Sequence, residues 1–550
     1  MRTALALYVL ALVARAAAIA LYPDPAYPDS YYYVDVARSI AAGHGLTVDF
    51  IWIFAEVGNR IPDPAVLPIP SNAHWLPLAS FIQAPFIAVL GPTPFASALP
   101  LALIGSLAAP LTWLIARDAG ARPVVASAAG VLAAVPGAAT VFMAQPENFA
   151  LLQPLVAATL WGTARGLRGD GRSFAMAGLL AGLAAPARND GILLGGAVGL
   201  VWLADRVRWL LVRRGRGSWS HVDDRPPIPA LAGILALAGF LLVMGPWWAR
   251  QLLEFGSISP TSASGAALWL RQYQDWNSIT ADHSLAGFLA QGPGPIIESR
   301  LAGLSSALGN FVVFVCSVVL VPFLVVGAIA RRKSPNFRPW FLYTLIAFAG
   351  ATLLYPLHVP GGAFIHSAIG LQPHAAILSV EGILLVVGWL AGRRRHWDEG
   401  VAGKVFVWGI VAFVIATSVA LGLPVQDRWD SIRQPRIALA AELTRRQVPT
   451  DDRILSIDAA GIRYWTGHPG VVTPDDPIDV IEAVARAYDT RWLVLEPGDA
   501  ARAFQPILTG SRPAWIGKPV FTVADPGGGS PSLLLYPLCF ETSDSRCSGT

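Results

Sequence analysis

Long apolar segments recur along the whole chain and are the feature that most restricts its fold. A membrane-spanning helix needs roughly 20 mostly apolar residues, and about eleven segments approach that length. Only 14% of the 550 residues are charged, against roughly 25% in soluble proteins, which is too few to cover a water-facing surface. These features exclude an ordinary soluble enzyme and predict a polytopic α-helical membrane protein. The predicted spans are residues 3–21, 94–116, 123–143, 148–164, 173–187, 191–205, 228–248, 304–330, 339–356, 369–391 and 404–423.

Basic residues alternate between the connections that join the predicted spans. The exits of the second, fourth, sixth, eighth and tenth spans are rich in arginine, whereas the other exits carry few basic residues. Because arginine and lysine accumulate in short cytoplasmic loops, we expect a cytoplasmic N-terminus and an extracytoplasmic C-terminal region. The bias toward arginine and alanine favours a bacterial cell (inner) membrane. The basic exits include Arg117, Arg122, Arg165, Arg206, Arg331 and Arg393.

Three regions outside the predicted spans are long enough to build structure of their own. The first holds a short apolar segment, residues 76–90, which contains two prolines and predicts an interfacial or re-entrant helix rather than a span. In the third, the apolar residues come in short runs typical of a water-soluble fold. The three regions are residues 22–93, 249–303 and 425–550.

The C-terminal tail predicts a small α/β domain. Apolar runs at 453–458 and 491–496 flank an amphipathic helix pattern at 479–488, and strand, helix, strand in this order favours parallel pairing. The chain therefore divides into a membrane module, residues 1–424, and an extracytoplasmic domain, residues 425–550. Two cysteines near the end of the tail either form a disulfide or remain free thiols: Cys539 and Cys547.

Acidic residues are scarce, so their concentration in the first external region is informative. Asp29 follows Pro28 and precedes a helix pattern, and it or Ser30 could be the N-cap of that helix. Alternatively, Asp29 is a carboxylate held at the membrane boundary, where it could act as a general base for a hydroxyl nucleophile. The three tyrosines at 31–33 suit such a site or, equally, an aromatic belt at the interface.

Several motifs resemble, in order, those of the GT-C glycosyltransferases, polytopic enzymes that use polyprenyl-phosphate sugars. The run Asp29-Ser-Tyr-Tyr-Tyr33 and the following Ala37-Arg-Ser-Ile-Ala-Ala-Gly-His-Gly-Leu46 resemble the opening of these enzymes. The resemblance is to the group around protein O-mannosyltransferases and lipid A aminoarabinose transferases. Further similar motifs are Asn72-Ala-His-Trp-Leu-Pro-Leu78, Gln145-Pro-Glu-Asn148, Ala187-Arg-Asn-Asp-Gly191, Gly245-Pro-Trp-Trp-Ala-Arg250 and, in the tail, Tyr464-Trp-Thr-Gly-His-Pro-Gly470.

The resemblance implies an inverting transfer of a sugar from a polyprenyl-phosphate donor to an extracytoplasmic acceptor hydroxyl. Asp29 would be the general base, and Glu147, or alternatively Asp49, a second carboxylate near the sugar. The acceptor could be a glycan, a lipid or a protein, and the departure of residues 72–75 from the family's usual pattern leaves its recognition open. Aromatic side chains of the first external region are expected to contact acceptor or sugar: Tyr32, Tyr33, His74 and Trp75.

No cofactor and no metal ion are expected. Family members that need a divalent metal place acidic residues in these external loops, but the sequence shows no dense acidic ligand set. Metal-binding spacings of cysteine and histidine do not occur either. The sugar donor itself is the only small molecule that the resemblance implies.

A phosphate leaving group needs cations at the outer membrane boundary, and arginine offers bidentate contacts to phosphate. Each basic candidate also has a structural interpretation. Arg188 could pair with Asp190, Arg250 could anchor at the interface, and His366 could be packed inside the bundle. Arg15 lies within the first span, where an unpaired charge is costly. The candidates for binding the donor phosphate are Arg188, Arg250, His366 and Arg15.

Other functions fit the sequence less well. Soluble stretches lack basic patches interleaved with aromatic residues, so nucleic-acid binding is not expected. A transporter or lipid flippase should place polar residues across the bilayer midplane and show internal repeats. A non-catalytic scaffold with a GT-C body is the remaining alternative, although it has no reason to keep the carboxylate at position 29. The expected partners are the lipid-linked donor, the acceptor and membrane lipid.

Overall fold

A computed structural model describes residues 1–52, 57–213, 226–259, 266–354, 364–394, 397–525, 528 and 531–540. Within these residues, five helices are long and apolar enough to cross a membrane, or six if one pair bent by 54° forms a single span. Each of the predicted spans contains helix, but several of these helices are short or broken. The chain is thus a helical, multi-pass protein, and the number of about eleven spans stays a prediction.

The helices of the membrane body follow the predicted apolar segments with shifts of a few residues. The third predicted span is broken at Pro136 and Gly137, where proline lacks a backbone donor and glycine adopts a φ of 64°. Its first part is therefore a helix and its second part a pair of short 3-10 turns. The helices of the body are Arg2–Leu21, Pro94–Gly105, Ala108–Asp118, Pro123–Ala134, Phe149–Leu167, Gly171–Ala184, Ile192–Arg213, Ala230–Phe255, Pro293–Asn310, Val321–Arg331, Arg338–Ala349, Gln372–Ala391 and Glu399–Arg445.

The first external region contributes two helices, Pro28–Ala41 and Leu78–Leu90, which pack against each other. The second is apolar and 13 residues long, too short for a span, in agreement with the prediction for residues 76–90. At the start of the first, Ser30 Oγ accepts hydrogen bonds from the backbone N–H groups of Ala26 and Tyr27, at 3.0 and 3.2 Å. The N-cap is Tyr27, and Asp29 and Ser30 are the second and third residues of the helix, so the prediction that one of them is the N-cap is wrong. Ser30 instead satisfies backbone donors that lie just before the helix.

In the described part of the chain, eight strands form two sheets. The smaller sheet pairs β1 with β3 in antiparallel fashion, and the larger has six strands in the order β2-β5-β4-β6-β8-β7. Within it, β4 pairs in parallel with both β5 and β6, as predicted for the apolar runs of the tail, and helix Ile478–Ala487 precedes β6. The strands are β1 (Thr47–Val48), β2 (Phe50–Ile51), β3 (Ile69–Pro70), β4 (Arg453–Ser456), β5 (Gly470–Val472), β6 (Thr490–Leu495), β7 (Phe521–Val523) and β8 (Leu533–Pro537).

One strand of the tail's sheet comes from the first external region. Strand β2 lies at the sheet edge, where Phe50 pairs with Gly470 and Ile51 with Val471. The tail and the first external region therefore share one sheet, which the sequence did not predict. The proposed boundary between residues 424 and 425 falls inside the continuous helix Glu399–Arg445 and stays a prediction. The choice between a disulfide and two free thiols at Cys539 and Cys547 also stays open, because Cys547 lies outside the described residues.

Helix Ala459–Thr466 of the tail packs on helix Pro28–Ala41. The guanidinium of Arg38 lies over the ring of Tyr464, 4.4 Å from its centroid. These contacts fix the helix that carries Asp29 against the tail. Three consecutive side chains bind the first external region: Arg463 pairs with Asp49 at 2.7 Å, Tyr464 donates to Asp24 at 3.2 Å, and Trp465 donates to Tyr31 at 3.1 Å.

Arg436 joins the long helix Glu399–Arg445 to the sheet. It is 4% exposed and donates to Asp458 Oδ2 at 2.6 Å and to Glu496 Oε1 at 2.8 Å. Because Asp458 follows β4 and Glu496 follows β6, the arginine connects the helix to the carboxyl ends of two parallel strands. Removing one partner of such a buried ion pair leaves charges without compensation, which is strongly destabilising.

We expect Arg436→Met to destabilise the protein by about 3–5 kcal/mol, because two largely buried carboxylates lose their cation. The measurement is the Tm of the purified protein in detergent. Arg445→Met is the matched control, since it removes an exposed arginine that pairs with Glu442 on the same helix. The control should leave Tm nearly unchanged, and equal Tm values for the two variants would contradict the structural role of Arg436.

Candidate functional site

Three ionisable side chains from distant parts of the sequence meet in one cluster: Asp29, Glu147 and His366. Nε2 of His366 lies 3.4 Å from Glu147 Oε2 and 3.9 Å from Asp29 Oδ2. No other group of three histidine, cysteine, aspartate or glutamate side chains in the described part of the chain is close enough to hold a metal ion. The structure thus brings together two of the predicted carboxylates and one of the residues predicted to bind the donor phosphate, His366. We call these three side chains the acidic cluster.

Asp29 is the member of the acidic cluster that solvent reaches, since its side chain is 28% exposed. It is the second residue of helix Pro28–Ala41, and Ser30 rather than Asp29 bonds the helix start. Its Oδ1 accepts a hydrogen bond from Trp75 Nε1 at 2.9 Å. One oxygen is therefore held in place by the indole, while Oδ2 faces His366.

Glu147 and His366 form the inner wall of the acidic cluster. Glu147 precedes helix Phe149–Leu167, is fully buried, and accepts a hydrogen bond from the hydroxyl of Tyr27 at 2.9 Å. His366 lies on the short helix Phe364–Ile369 and stacks on the ring of Phe149, with 4.0 Å between centroids. Aromatic packing thus fixes the imidazole against a carboxyl group that water does not reach.

Burial controls the charges of the acidic cluster, whose members lie outside the membrane-spanning helices. Burial raises the pKa of Glu147 to about 8, although Tyr27 and Arg188 lower it. Burial also raises the pKa of Asp29, and the nearby Glu147 raises it further. Burial, reinforced by the charge of Arg188, lowers the pKa of His366 to about 3. Near neutral pH, His366 is therefore uncharged and Glu147 is largely protonated.

Arg188 supplies the positive charge next to the acidic cluster. It follows helix Gly171–Ala184, and its Nε lies 2.8 Å from Asp190 Oδ1, the local pairing anticipated from the sequence. The same guanidinium lowers the pKa of Asp29, Glu147 and His366, so its charge acts on all three. An arginine that is 18% exposed beside an accessible carboxylate suits the binding of an anionic group.

The other three charged candidates have partners elsewhere. Asp49 pairs with Arg463 of the tail, so it is part of the contact between tail and first external region rather than of the acidic cluster. Arg15 is 1% exposed and donates to Ala11 O and to Gln153 Oε1, both at 3.3 Å. These contacts fit a structural role inside the bundle better than the predicted contact with donor phosphate.

Arg250 contacts aromatic rings rather than the acidic cluster. Its guanidinium lies 5.3 Å from the ring centroid of Trp247 and 5.0 Å from that of Phe255, and it donates to Gln251 at 2.7 Å. Gln251 in turn donates to the backbone oxygen of Asn72 at 2.9 Å. Arg250 therefore supports the segment that carries Trp75, and the interfacial interpretation of this arginine fits the structure.

The aromatic candidates surround the acidic cluster but are mostly packed. Tyr32 and Tyr33 are 1% and 2% exposed, so the predicted direct contact with acceptor or sugar does not fit their burial. Tyr32 stacks on Trp75, with 4.4 Å between centroids, and Tyr33 OH accepts a hydrogen bond from Asn148. Burial, with the charge of Arg188, lowers the pKa of His74 to about 3, so His74 is neutral.

Two contributing residues carried no recognisable sequence signal of their own. Tyr27 donates to Glu147, and Phe149 stacks on His366, across sequence separations of 120 and more than 200 residues. Both flank motifs that the sequence did single out. Their roles follow only from the way in which the helices bring these motifs together.

The acidic cluster also has the geometry of a potential metal site, in contrast to the expectation from the sequence. One carboxylate oxygen each from Asp29 and Glu147 and one ring nitrogen of His366 all lie within 4.8 Å of one another. Two carboxylates and an imidazole are a ligand set that suits zinc and similar divalent ions. The sequence showed no dense acidic set because the three ligands are far apart along the chain, and metal independence stays a prediction.

Comparison with known proteins gives one family match and several structural ones. Residues 71–245, about a third of the chain, match the family model described as dolichyl-phosphate-mannose-protein mannosyltransferase. This segment includes Trp75, Glu147 and Arg188 of the site. A search of curated protein sequences finds no match.

Solved structures with the same fold are distant in sequence. ArnT from Cupriavidus metallidurans bound to undecaprenyl phosphate matches with a TM-score of 0.57 and 12% identity, over 97% of each chain. Its apo state gives 0.55 and 13%, again over 97% of each chain. The oligosaccharyltransferase of Archaeoglobus fulgidus, in complex with Zn and sulfate, gives 0.51 and 13%, over 94% of this chain and 72% of that one. The chain therefore has the fold of ArnT and, over residues 71–245, is similar to the dolichyl-phosphate-mannose-protein mannosyltransferases.

Proposed function

We propose that the protein is an inverting glycosyltransferase that moves a sugar from a polyprenyl-phosphate donor to an acceptor hydroxyl. The observation that carries this proposal is the acidic cluster, which presents one accessible carboxylate, Asp29, next to the charge of Arg188. The fold supports the same conclusion, since the ArnT structure with this fold holds undecaprenyl phosphate. A sugar carried on such a lipid phosphate is the donor class that we assign.

The reaction is a single displacement. Asp29 takes the proton of the acceptor hydroxyl while the hydroxyl oxygen attacks the anomeric carbon. The new carbon–oxygen bond forms as the bond between this carbon and the phosphate oxygen breaks, and the electron pair leaves with the phosphate. The products are the glycoside with inverted configuration, the polyprenyl phosphate and a protonated Asp29.

Asp29 fits the role of base better than Glu147 does. Glu147 is fully buried behind His366, and its pKa of about 8 keeps it largely protonated near neutral pH. A protonated Glu147 leaves the negative charge of the pair on Asp29, whose partly exposed side chain an acceptor can approach. The raised pKa of Asp29 also makes it a stronger base than a carboxylate in water.

Arg188 is the candidate for stabilising the leaving phosphate. The phosphate gains negative charge as its bond to the sugar breaks, and a fixed arginine nearby lowers the energy of this state. Asp190 holds the guanidinium in place through its Nε, and a guanidinium in a fixed position suits the planar, bidentate recognition of phosphate oxygens. His366, being neutral, contributes a hydrogen-bonding nitrogen rather than charge.

The proposed location is the bacterial inner membrane, with the N-terminus in the cytoplasm. In this orientation, the first external region, the acidic cluster and residues 425–550 lie on the extracytoplasmic side. A lipid-linked donor suits that compartment, because its chain remains in the bilayer while its sugar reaches the surface. We include no metal ion in the proposed reaction.

Asp29→Asn should lower transfer by about 10²–10⁴-fold, because the amide cannot take the proton of the acceptor. The assay is sugar transfer or slow donor hydrolysis by purified protein in lipid, with a panel of polyprenyl-phosphate sugars. Asp63→Asn, at an exposed position of the same external region, is the control and should keep its activity. Undiminished activity of Asp29→Asn would remove this residue from the role of base.

The pH dependence of kcat/KM tests the coupling between the two carboxyl groups. Because the pKa of Asp29 is raised, activity should be lost on acidification at a higher pH than an ordinary aspartate would give. Because Glu147, with a pKa of about 8, is already protonated over this range, Glu147→Gln replaces one neutral group by another and should leave the acidic limb in place. An acidic limb that moves to lower pH in Glu147→Gln would show that Glu147 is charged while Asp29 titrates, and would contradict this division of proton and charge.

A further inference from the structure

A cavity whose lining includes no member of the acidic cluster lies between the second external region and the tail. Its volume is about 520 Å³, within the range of pockets that hold small ligands. The second external region contributes Gln272, Gln274 and Thr280, and the tail contributes Asp475 and Arg502. None of these residues has a part in the proposed chemistry. We call this cavity the polar groove.

The wall of the polar groove is fixed by hydrogen bonds. The buried carboxylate of Asp476 accepts from the hydroxyl of Ser278 at 2.7 Å, the backbone N–H of Ile279 at 2.6 Å and the hydroxyl of Thr280 at 2.5 Å. The backbone N–H of Asp475 donates to Asn277 O at 3.0 Å. The loop of the second external region is thus bound to the tail, and the groove is formed before any ligand arrives.

The exposed side chains of the polar groove are suited to hydroxyl groups. Gln274 is an exposed amide that can both donate and accept, and Arg502 adds a guanidinium that is 65% exposed. Gln272 is exposed as well, and its amide donates to Asp275 Oδ1 at 2.9 Å. Asp475 lies 3.5 Å from Arg502 and offers acceptor oxygens. The hydroxyl groups of a sugar each donate and accept hydrogen bonds. Neighbouring amide, carboxylate and guanidinium groups can supply the complementary acceptors and donors.

The charge of the polar groove disfavours an anionic ligand. Three carboxylates, those of Asp275, Asp475 and Asp476, line it together with one cation, Arg502. A phosphate or carboxylate group would meet an excess of like charge at close range, which is unfavourable. A neutral saccharide meets no such penalty, so the groove discriminates against acidic lipid headgroups.

The loop that lines the polar groove also reaches the acidic cluster. Trp276 packs against His74, with 5.5 Å between ring centroids, and His74 lies 5.0 Å from the ring of Trp75. Trp75 in turn donates to Asp29 at 2.9 Å. The charge of Asp29 also acts on Tyr273, the residue between Gln272 and Gln274. The same loop therefore borders the polar groove and is connected to Asp29 through the contacts of Trp276, His74 and Trp75.

We infer that the polar groove binds the acceptor of the reaction, and that the acceptor is a neutral glycan. This inference rests on the proposed transferase function and names the acceptor class that the function leaves open. The groove binds the sugar residues of the glycan that adjoin the reacting hydroxyl. The loop at 272–281 then directs the end of the glycan that carries this hydroxyl toward Asp29. A glycan fixed at a distance from the reacting hydroxyl gains affinity and orientation together.

Gln274→Trp tests the polar groove, because it fills the cavity with an indole at an exposed position. Full-length protein in nanodiscs of uncharged lipid is titrated with a panel of neutral tetrasaccharides of hexoses and pentoses, and binding is followed by saturation-transfer NMR. The variant should weaken binding by at least about tenfold, equivalent to 1.4 kcal/mol. Gln434→Trp, an exposed glutamine on the long helix outside the groove, is the control and should bind as wild type does. Donor hydrolysis, in which water is the acceptor, should persist in both variants.

Several results would overturn the inference. One such result is that the wild-type protein binds none of the tetrasaccharides. Another is that Gln274→Trp binds a tetrasaccharide as tightly as the wild type does. A third is that the protein prefers glycerol phosphate to every neutral saccharide. If one of these results is found while the protein still hydrolyses the donor, the proposed transferase function is retained and only the assignment of the polar groove as acceptor site is wrong. If the saccharide binds and Gln274→Trp blocks it but no donor is hydrolysed, the groove stands and the proposed reaction fails.

Discussion

The burial of Glu147 beside Asp29 is the interaction on which the rest of the site depends. Two carboxyl groups in one cluster cannot both ionise without mutual repulsion, and burial adds to that penalty. The structure resolves the conflict by enclosing one group completely, with Tyr27 and His366 against it, while the other keeps contact with solvent. The pair thus holds one proton and one negative charge, and the exposed carboxylate, Asp29, is the one that a bound molecule can approach. Arg188 provides the matching cation from a separate loop.

The members of the acidic cluster come from separate segments, so these segments must be held in fixed positions relative to one another. The tail contributes to this by contacting the first and second external regions. Strand β2 of the first external region completes the sheet of the tail, and helix Ala459–Thr466 packs on the helix that carries Asp29. Arg436 then connects the sheet to the long helix that continues into the membrane body. The second external region is bound to the tail in turn through Asp476. The tail therefore positions both the acidic cluster and the polar groove.

The sequence predicted the helical membrane body and the parallel pairing in the tail, because apolar runs are local signals. It also singled out Asp29 and Glu147, since acidic residues are scarce, and these two side chains lie together in the structure, while their roles stay predictions. It did not predict that β2 joins the tail, since a strand of two residues has no periodicity of its own. Nor could it show that Asp49 has a partner in the tail, because that ion pair joins residues 414 positions apart. The number of spans stays a prediction, although the break at Pro136 and Gly137 has a local cause in the proline and the glycine themselves. Residue types suggested the chemistry, and long-range contacts decided which of those residues meet.

The configuration of the product at the anomeric carbon tests the central claim most directly. With a donor of defined configuration and a neutral glycan acceptor, NMR coupling constants report the configuration of the new bond. A single base at Asp29 with no nucleophilic intermediate predicts complete inversion. Retention would require a covalent intermediate or a second displacement, and it would contradict the assignment of Asp29 as base and Glu147 as its buried, protonated neighbour.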